Sequence, residues 1–538
     1  MLPVYIQAFS TITPLGRSTA AGARGLFAGT QCGLSHRAVL IDGREAPVGR
    51  VPLDLSDDAC AVRGLRSDNN RLLFLCLAEI EGRFAELAAR QPASRVGVVV
   101  GTSTSGMREG ERAFKARCET GVWPDDHLLA TQELGDPALV LASHLGIRGP
   151  AYTVSTACSS SAKAIASAAR LIQADICDVV LTGGGDTVCG LTLNGFASLD
   201  AISSHLSNPF SRNRHGINLG EGAALLILSR YSAELRLAGW GETSDAYHVS
   251  APDPTGTGAS TAIYQSLKRA GLAASEVGYI NLHGTGTPLN DAMEAHVVNG
   301  IFGAETPCSS TKPLTGHMLG AAGACEATFV ALSLMSGGLL PPHRWDAERD
   351  PALPDIALVA QPGQRSDCRY MMSCSYAFGG SNAVLILGRV MAPAFPPIER
   401  LIPHRGSMRL IDRVVASSES TVTVAASLDR SPQFAIKAST VPAYVGLEMM
   451  AQAVSAFDGL RLRKEGTQAE IGFLLGVRRL MAHRATLPQN CEVFVSATMT
   501  FQDGRMGVFE CEIVDEDGGK VADGSITVYR ASDTTDRR

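Results

Sequence analysis

The chain has 538 residues, 45% hydrophobic, 19% charged and 6% aromatic, with a formal net charge of −6 and a pI near 6.1. That is ample for several domains at roughly 150 residues each. The balance excludes a disordered chain, a collagen, a coiled coil and a basic nucleic-acid or membrane-surface binder. No run approaches the roughly 18 apolar residues of a membrane span, the start lacks a secretory-signal pattern, and thirteen Cys without a CxxC argue for reduced cytoplasmic thiols, with no disulfide framework, zinc site or other metal.

In chain order, MLPVYIQAFSTITPLG reads as a strand entering a turn. RVGVVVGTSTSG (95–106), DVVLTGGGD (178–186), GYINLHGTGT (278–287) and YMMSCSYAFGGSNAVLILGR (370–389) are strand-like runs meeting Gly, Ser or Thr turns. Between them, SSAKAIASAARLIQAD (160–175) and AAGACEATFVALSLMSGG (321–338) are helical in pattern. The first is alanine-rich nearly all round, which suits a helix buried between sheets. Alternating strands and helices predict an α/β layered fold over 1–390, and the recurring strand-then-turn pattern hints at duplicated halves of about 1–230 and 231–390.

Three prolines within Met391–Ile398 predict a stiff extended linker over 391–398. Beyond it, YVGLEMMAQAVSAFDGLRLRKEG (444–466) is helical, and CEVFVSATMTF (491–501) and GVFECEIVDEDGGKVADGSITVYR (507–530) alternate with period two around a hairpin at Asp517-Gly-Gly519. A small α+β domain is therefore expected over 399–530, followed by a polar tail over 531–538.

The chemistry gathers at three places. Cys158, in Val154-Ser-Thr-Ala-Cys158-Ser-Ser-Ser-Ala, sits just ahead of the alanine-rich helix, where the positive end of the helix dipole is expected to lower the thiol's pKa and nearby N–H groups can receive an oxyanion. His283, in Asn281-Leu-His-Gly-Thr-Gly-Thr287, and His317, in Lys312-Pro-Leu-Thr-Gly-His-Met-Leu-Gly-Ala-Ala-Gly323, occupy Gly-rich turns of the kind where α/β folds place sites. Any one of them alone reads first as structural. Together they are a candidate set for covalent catalysis.

TACSSSAKAIASAARLI, PFSRNRHGINLGEGAALLILSR, NLHGTGTPLNDAMEAH, STKPLTGHMLGAAGACEA and SYAFGGSNAVLIL, in this order, resemble the successive signatures of β-ketoacyl-acyl-carrier-protein synthases, over residues 1 to about 390. The resemblance implies a thiolase-like α-β-α-β-α fold in two similar halves. It also implies a decarboxylative Claisen condensation of malonyl-acyl carrier protein with an acyl chain held as a thioester on Cys158. On it, His283 and His317 stabilise the enolate, Lys312 and Glu326 hold the histidine region, and the N–H groups of Cys158 and Phe378 form the oxyanion hole. Phe378 also gates the pocket, and Thr285 and Thr287 line its malonyl side. No cofactor is expected beyond the phosphopantetheine of acyl carrier protein, the expected partner, which is acidic and calls for a basic patch at the pocket mouth. A homodimer is expected, or a heterodimer with a related condensing or hotdog subunit.

Other motifs read blandly. Gly183-Gly-Gly185 and Gly256-Thr-Gly258 lack a dinucleotide-binding context, Arg212, Arg214 and His215 read as loop-ordering residues, Asp291 and Glu294 as acids of a helix start, and Asp517 as a turn residue without a metal. Two rival readings are weighed. A chain-length-factor-like subunit would lack the nucleophile, which stands here. A degradative thiolase would need a second catalytic Cys, for which Cys374 is the nearest candidate, but the two histidine motifs and Lys312 favour decarboxylation.

Residues 399–530 resemble the hotdog fold of β-hydroxyacyl-carrier-protein dehydratases, through Leu401-Ile-Pro-His-Arg405, Leu410-Ile-Asp412-Arg and Gly446-Leu-Glu-Met-Met-Ala-Gln452. The nearest subtype is the dehydratase-like protein of aryl-polyene biosynthesis. Glu448 falls at that family's catalytic acid position. The family's basic histidine lies fourteen residues earlier, which here is Phe434, and no histidine stands between His404 and His483. Glu448 is thus expected to lack its general-base partner. His404 matches a motif histidine that is usually structural. The expected roles, in order, are a non-catalytic half of a hotdog dimer, acyl or carrier binding, and a weak or unusual dehydratase.

Overall fold

A computed structural model describes residues 2–53, 67–390, 395–427, 440–464, 472–488, 492–516 and 518–530. The chain divides into two compact units, Met1–Val390 and Met391–Arg538.

The larger unit repeats one pattern twice. Its first half contributes β1 (Val4–Ile12), α1 (Asp68–Ala88), β2 (Val96–Gly101), a short helix (Asp136–His144), β3 (Ala151–Val154), α2 (Ser160–Gln173), β4 (Val179–Asp186) and β5 (Gly222–Ser229). The second half contributes β6 (Leu235–Ser244), α3 (Thr257–Ala270), β7 (Val277–Asn281), α4 (Pro288–Phe302), β8 (Pro307–Ser309), α5 (Ala322–Met335), β9 (Tyr370–Ala377) and β10 (Ser381–Arg389). Spatial order is β3-β2-β4-β5-β1 in one half and β8-β7-β9-β10-β6 in the other, with β1 antiparallel to β6 at the join. Within each half the second strand is parallel to the third and fourth, and the fifth is antiparallel to the fourth. The same order with the same senses is the signature of a duplicated unit.

Central strands β4 and β5 are buried at every position, because helices cover both faces. α2 and α5 form the middle layer, and one apolar cluster joins them to strands of both halves. α1 covers the outer face of the first half, and α3 and α4 that of the second. The middle helices approach closely because their side chains are small. A Cβ on Gly323 would lie 2.8 Å from the backbone nitrogen of Ala162. The result is the thiolase-like α-β-α-β-α layering.

The smaller unit wraps an antiparallel sheet around one helix, α6 (Gly446–Lys464). Its strands are β11 (Arg413–Ser417), β12 (Thr421–Ser427), β13 (Gly472–Ala482), β14 (Glu492–Asp503), β15 (Met506–Asp515) and β16 (Lys520–Arg530), in the order β11-β12-β14-β15-β16-β13. This sheet-rich domain is consistent with a hotdog fold. Phe434 and Asp517 lie outside the described residues. Among the described residues no helix is long and apolar enough to cross a membrane.

Candidate active site

Cys158 stands in the turn between β3 and α2, and is 3% exposed. The residue before it, Ala157, has φ 51°, a left-handed conformation that costs an L side chain about 1–3 kcal/mol and persists only where its surroundings over-determine it. They do. The Ala157 carbonyl accepts from the backbone N–H of Ser160 (3.1 Å), from the Ser160 hydroxyl (2.6 Å) and from the Ser103 hydroxyl (3.2 Å). The Ser103 turn is itself fixed by buried Asp186, which accepts from the N–H groups of Ser103 and Thr104 and from the hydroxyls of Thr102 and Thr104. Gly101, where β2 passes α2, leaves no room for a side chain, since a Cβ would sit 2.3 Å from the Ser161 nitrogen.

The two histidines arrive from the second half. His317 follows Gly316 in a turn zipped to an upstream loop: its N–H donates to Asn218 (2.7 Å), and its carbonyl accepts from Gly220 (2.9 Å). Its Nε2 lies 2.9 Å from Cys158 Sγ. The His283 ring stands edge-on to it, centroids 5.4 Å apart, and one side-chain nitrogen or sulfur atom from each of Cys158, His283 and His317 lies within 4.8 Å of the other two.

Buried carboxylates hold the His283 loop. Glu294 accepts from the N–H groups of His283 and Gly284, both at 2.7 Å, and Asp291 from those of Phe210 (2.8 Å) and Gly286 (3.2 Å). Only Asp291 stands in the first turn of α4, with Glu294 one turn further in, and both serve the loop rather than solvent. The available signal was the glycine-rich run itself: a buried turn needs acceptors for its N–H groups, and the next helix supplies them. His343, fully inside, accepts from Ser310 N–H on Nδ1 (3.0 Å) and donates from Nε2 to the Pro209 carbonyl (3.1 Å). Ser310 in turn donates its hydroxyl to Gly284 (2.6 Å).

Lys312 and Glu326 form a buried ion pair, Nζ to Oε1 2.6 Å, 2% and 1% exposed. Removing one partner of such a pair strands the other charge and costs about 3–5 kcal/mol. Lys312→Met is therefore expected to lower the urea midpoint of the larger unit's unfolding markedly, and adding Glu326→Gln to recover part of the loss. An unshifted midpoint for the single variant contradicts this.

The electrostatics correct one expectation. Burial pushes the Cys158 thiol up to about 12, outweighing the Lys312 charge and the N–H groups of Phe378 and Cys158, which pull it down. The helix end therefore does not by itself leave a standing thiolate at this buried position. Burial, and next the Lys312 ammonium, hold His283 and His317 well below the ordinary imidazole value. Both rings are thus neutral at physiological pH. A depressed pKa places their protonation, and the loss of what the neutral rings do, on the acid side of 6.5. Malonyl-thioester decarboxylation is expected to show no inflection near pH 6.5 when its rate is followed by CO2 release between pH 6 and 8. An acid limb centred there contradicts neutral donors.

Cys158, His283 and His317 line one cavity of about 340 Å³, with Thr285, Thr287, Tyr376 and Phe378. Phe378 packs on Phe196, centroids 5.3 Å apart. Cys374 lies within β9, buried in the core. Arg212 pairs with Glu348 (2.9 Å) and Arg214 with Asp350 (2.6 Å).

In the smaller unit, the structure brings together the two residues that sequence spacing leaves apart. His404 Nε2 lies 3.4 Å from Glu448 Oε1.

Family models match the chain in three segments: the N-terminal domain of beta-ketoacyl synthase over 71–234, its C-terminal domain over 235–344, and ApeP dehydratase over 396–537. The 3-oxoacyl-[acyl-carrier-protein] synthase 2 of Staphylococcus aureus is 35% identical over 312 residues, 55% of this chain and 77% of that protein. Among solved structures, the ketosynthase ApeO of Xenorhabdus doucetiae, in complex with its chain length factor ApeC, superposes with a TM-score of 0.69 at 43% identity, covering 72% of this chain and 98% of that one. A beta-ketoacyl synthase from Burkholderia phymatum gives a TM-score of 0.63 at 28% identity, covering 72% and 100%.

Proposed function

Because the chain belongs to the β-ketoacyl-acyl-carrier-protein synthase family, and is a condensing enzyme with an appended dehydratase-like domain, we propose that Cys158, His283 and His317 carry its decarboxylative condensation. The observation that supports this most is the placing of a buried sulfur and two neutral imidazoles around one cavity, with His317 Nε2 2.9 Å from Sγ.

Cys158 Sγ attacks the carbonyl of an acyl thioester delivered on the phosphopantetheine of acyl carrier protein. The oxyanion is received by the N–H groups of Cys158 and Phe378, and the departing carrier sulfur takes the thiol proton. Malonyl-carrier protein then enters. Its C–C bond to the carboxylate breaks, CO2 leaves, and the electron pair moves onto the thioester oxygen as an enolate. Nε2–H groups of His283 and His317 stabilise that oxygen without having to ionise. The enolate carbon attacks the acyl carbonyl, the C–S bond to Cys158 breaks, and a 3-oxoacyl thioester leaves on the carrier. Lys312 and Glu326 position the histidine region, Phe378 gates the cavity, and Thr285 and Thr287 line its malonyl side.

The acyl chain is a fatty, polyketide or aryl-polyene intermediate, the enzyme works in the cytoplasm, and it pairs with a copy of itself or with a related condensing or hotdog chain. Incubating the protein with a panel of acyl-carrier proteins and mapping the adduct by mass spectrometry tests the assignment and ranks the chains. A thioester on Cys158 is expected. An adduct on any other residue overturns it.

A further inference from the structure

We infer that the mouth of the active-site cavity docks a carrier protein by apolar contact, on a face that presents a cation to Asp200, and that attraction of an acidic face contributes nothing there. The inference rests on the condensing reading, which brings every thioester here on a tethered arm and so seats its carrier on the rim.

Three segments build that rim. The turn after the helix Gly190–Ser198 supplies Leu199, 54% exposed, and Asp200, which is also open to solvent. The first turn of α4 supplies Pro288 and Leu289, the latter 62% exposed. Residues 250–252 complete it. Their loop is tied beside Phe378, since the Val249 carbonyl accepts from the Gly379 N–H (2.8 Å), while the Val249 side chain stays 76% exposed. A single exposed leucine is ordinary. Exposed apolar side chains from separate segments, gathered around one concave opening, mark a surface that a partner covers.

The charges run against the basic patch that an acidic carrier calls for. Among the described residues no lysine or arginine lines the cavity, and the one carboxylate that does is Asp200. Cations of other loops are engaged elsewhere: Arg212 with Glu348 (2.9 Å), Arg214 with Asp350 (2.6 Å), and Arg37 with the Ser204 carbonyl (3.0 Å). Local structure does not account for the acid. Asp200 has φ 52°, a left-handed conformation that glycine or asparagine usually takes after a helix. Its carboxylate also stands at the C-terminal end of the helix Gly190–Ser198, where the helix dipole disfavours negative charge. A cation brought by the carrier gives that carboxylate a partner, whereas an acidic face meets like charge. Apolar contact holds as salt rises, because ions screen only the charges.

The test uses the full chain with one acyl group presented in three ways: on an acidic acyl carrier protein, on the same protein with the acids of its arm-bearing face changed to lysine, and on pantetheine alone. The lysine carrier is expected to show a KM about 3–10-fold below that of the acidic one at low salt, the gap closing between about 0.02 and 0.5 M salt. Asp200→Lys should reverse the order of the two carriers. Leu289→Ser should lower kcat/KM for both carriers about tenfold more than for the pantetheine thioester, a split that a loss confined to the cavity would not give. If that variant does not fold, the salt series on the wild-type chain decides. An acidic carrier with the lower KM, rising with salt, overturns the inference, as does a folded Leu289→Ser that affects carrier and pantetheine substrates equally. A wild-type chain that turns over none of the three overturns the condensing reading, and the inference with it.

Discussion

Cys158→Ala is expected to lose acyl-enzyme formation and condensation completely while still releasing CO2 from malonyl thioester. The two losses follow from one atom, because Cys158 carries the only thiol that lines the cavity among the described residues. The retained reaction follows from the histidines, whose backbones are fixed independently of the sulfur. His317 is held by its backbone bonds to Asn218 and Gly220, and His283 by Glu294 through its own N–H. Decarboxylation needs donors for an enolate oxygen and no nucleophile. Removing a buried Sγ costs on the order of 1 kcal/mol of stability, so the variant is expected to fold. Intact-protein mass spectrometry after incubation with acyl-carrier protein measures the first effect, and trapped CO2 from labelled malonyl thioester the second. An adduct on the alanine variant equal to that on the parent removes Cys158 from the reaction. CO2 release falling as far as condensation does would mean that the sulfur, not the rings, organises the malonyl side.

How far these features could be read from the chain depends on whether their physics is local. The strand-then-turn runs and the alanine-rich helix at 160–175 were legible because apolar periodicity and small-residue composition are local properties, and the duplicated halves followed weakly from their recurrence. The identical strand orders of the two halves were not legible, since β1 joins β5 more than two hundred residues away. Cys158, His283 and His317 stood out through their turns. What the turns did not give is the net direction of the thiol's pKa, because a helix end is visible in sequence and the depth of burial is not. Asp186 and His343 went unread for a similar reason: each acts through a loop from another part of the chain. In the smaller unit, counting along the chain from Glu448 reached Phe434 and left the acid alone. The imidazole that meets it belongs to a loop before β11, which only folding brings to α6.

His317→Ala separates the donor role from the nucleophile's. Acylation is expected to survive within about tenfold, since the sulfur keeps the N–H groups of Cys158 and Phe378 and the Lys312 charge. Condensation and CO2 release are expected to fall together by about 10²–10³, the usual effect of losing one preorganised donor, or some 2.7–4 kcal/mol of transition-state stabilisation. His317→Asn discriminates further. An amide is a neutral donor that cannot accept a proton as a base, so it should recover part of the lost rate if the ring acts by its N–H, and none if the ring acts by taking a proton. The depressed pKa of His317 favours the first outcome, for a ring that burial and Lys312 keep neutral can donate at every working pH without changing its charge in the dry cavity. Equal losses of acylation and condensation in His317→Ala would instead place the imidazole on the path of the thiol proton, and the 2.9 Å contact to Sγ would then be the reaction's first step rather than its scaffold.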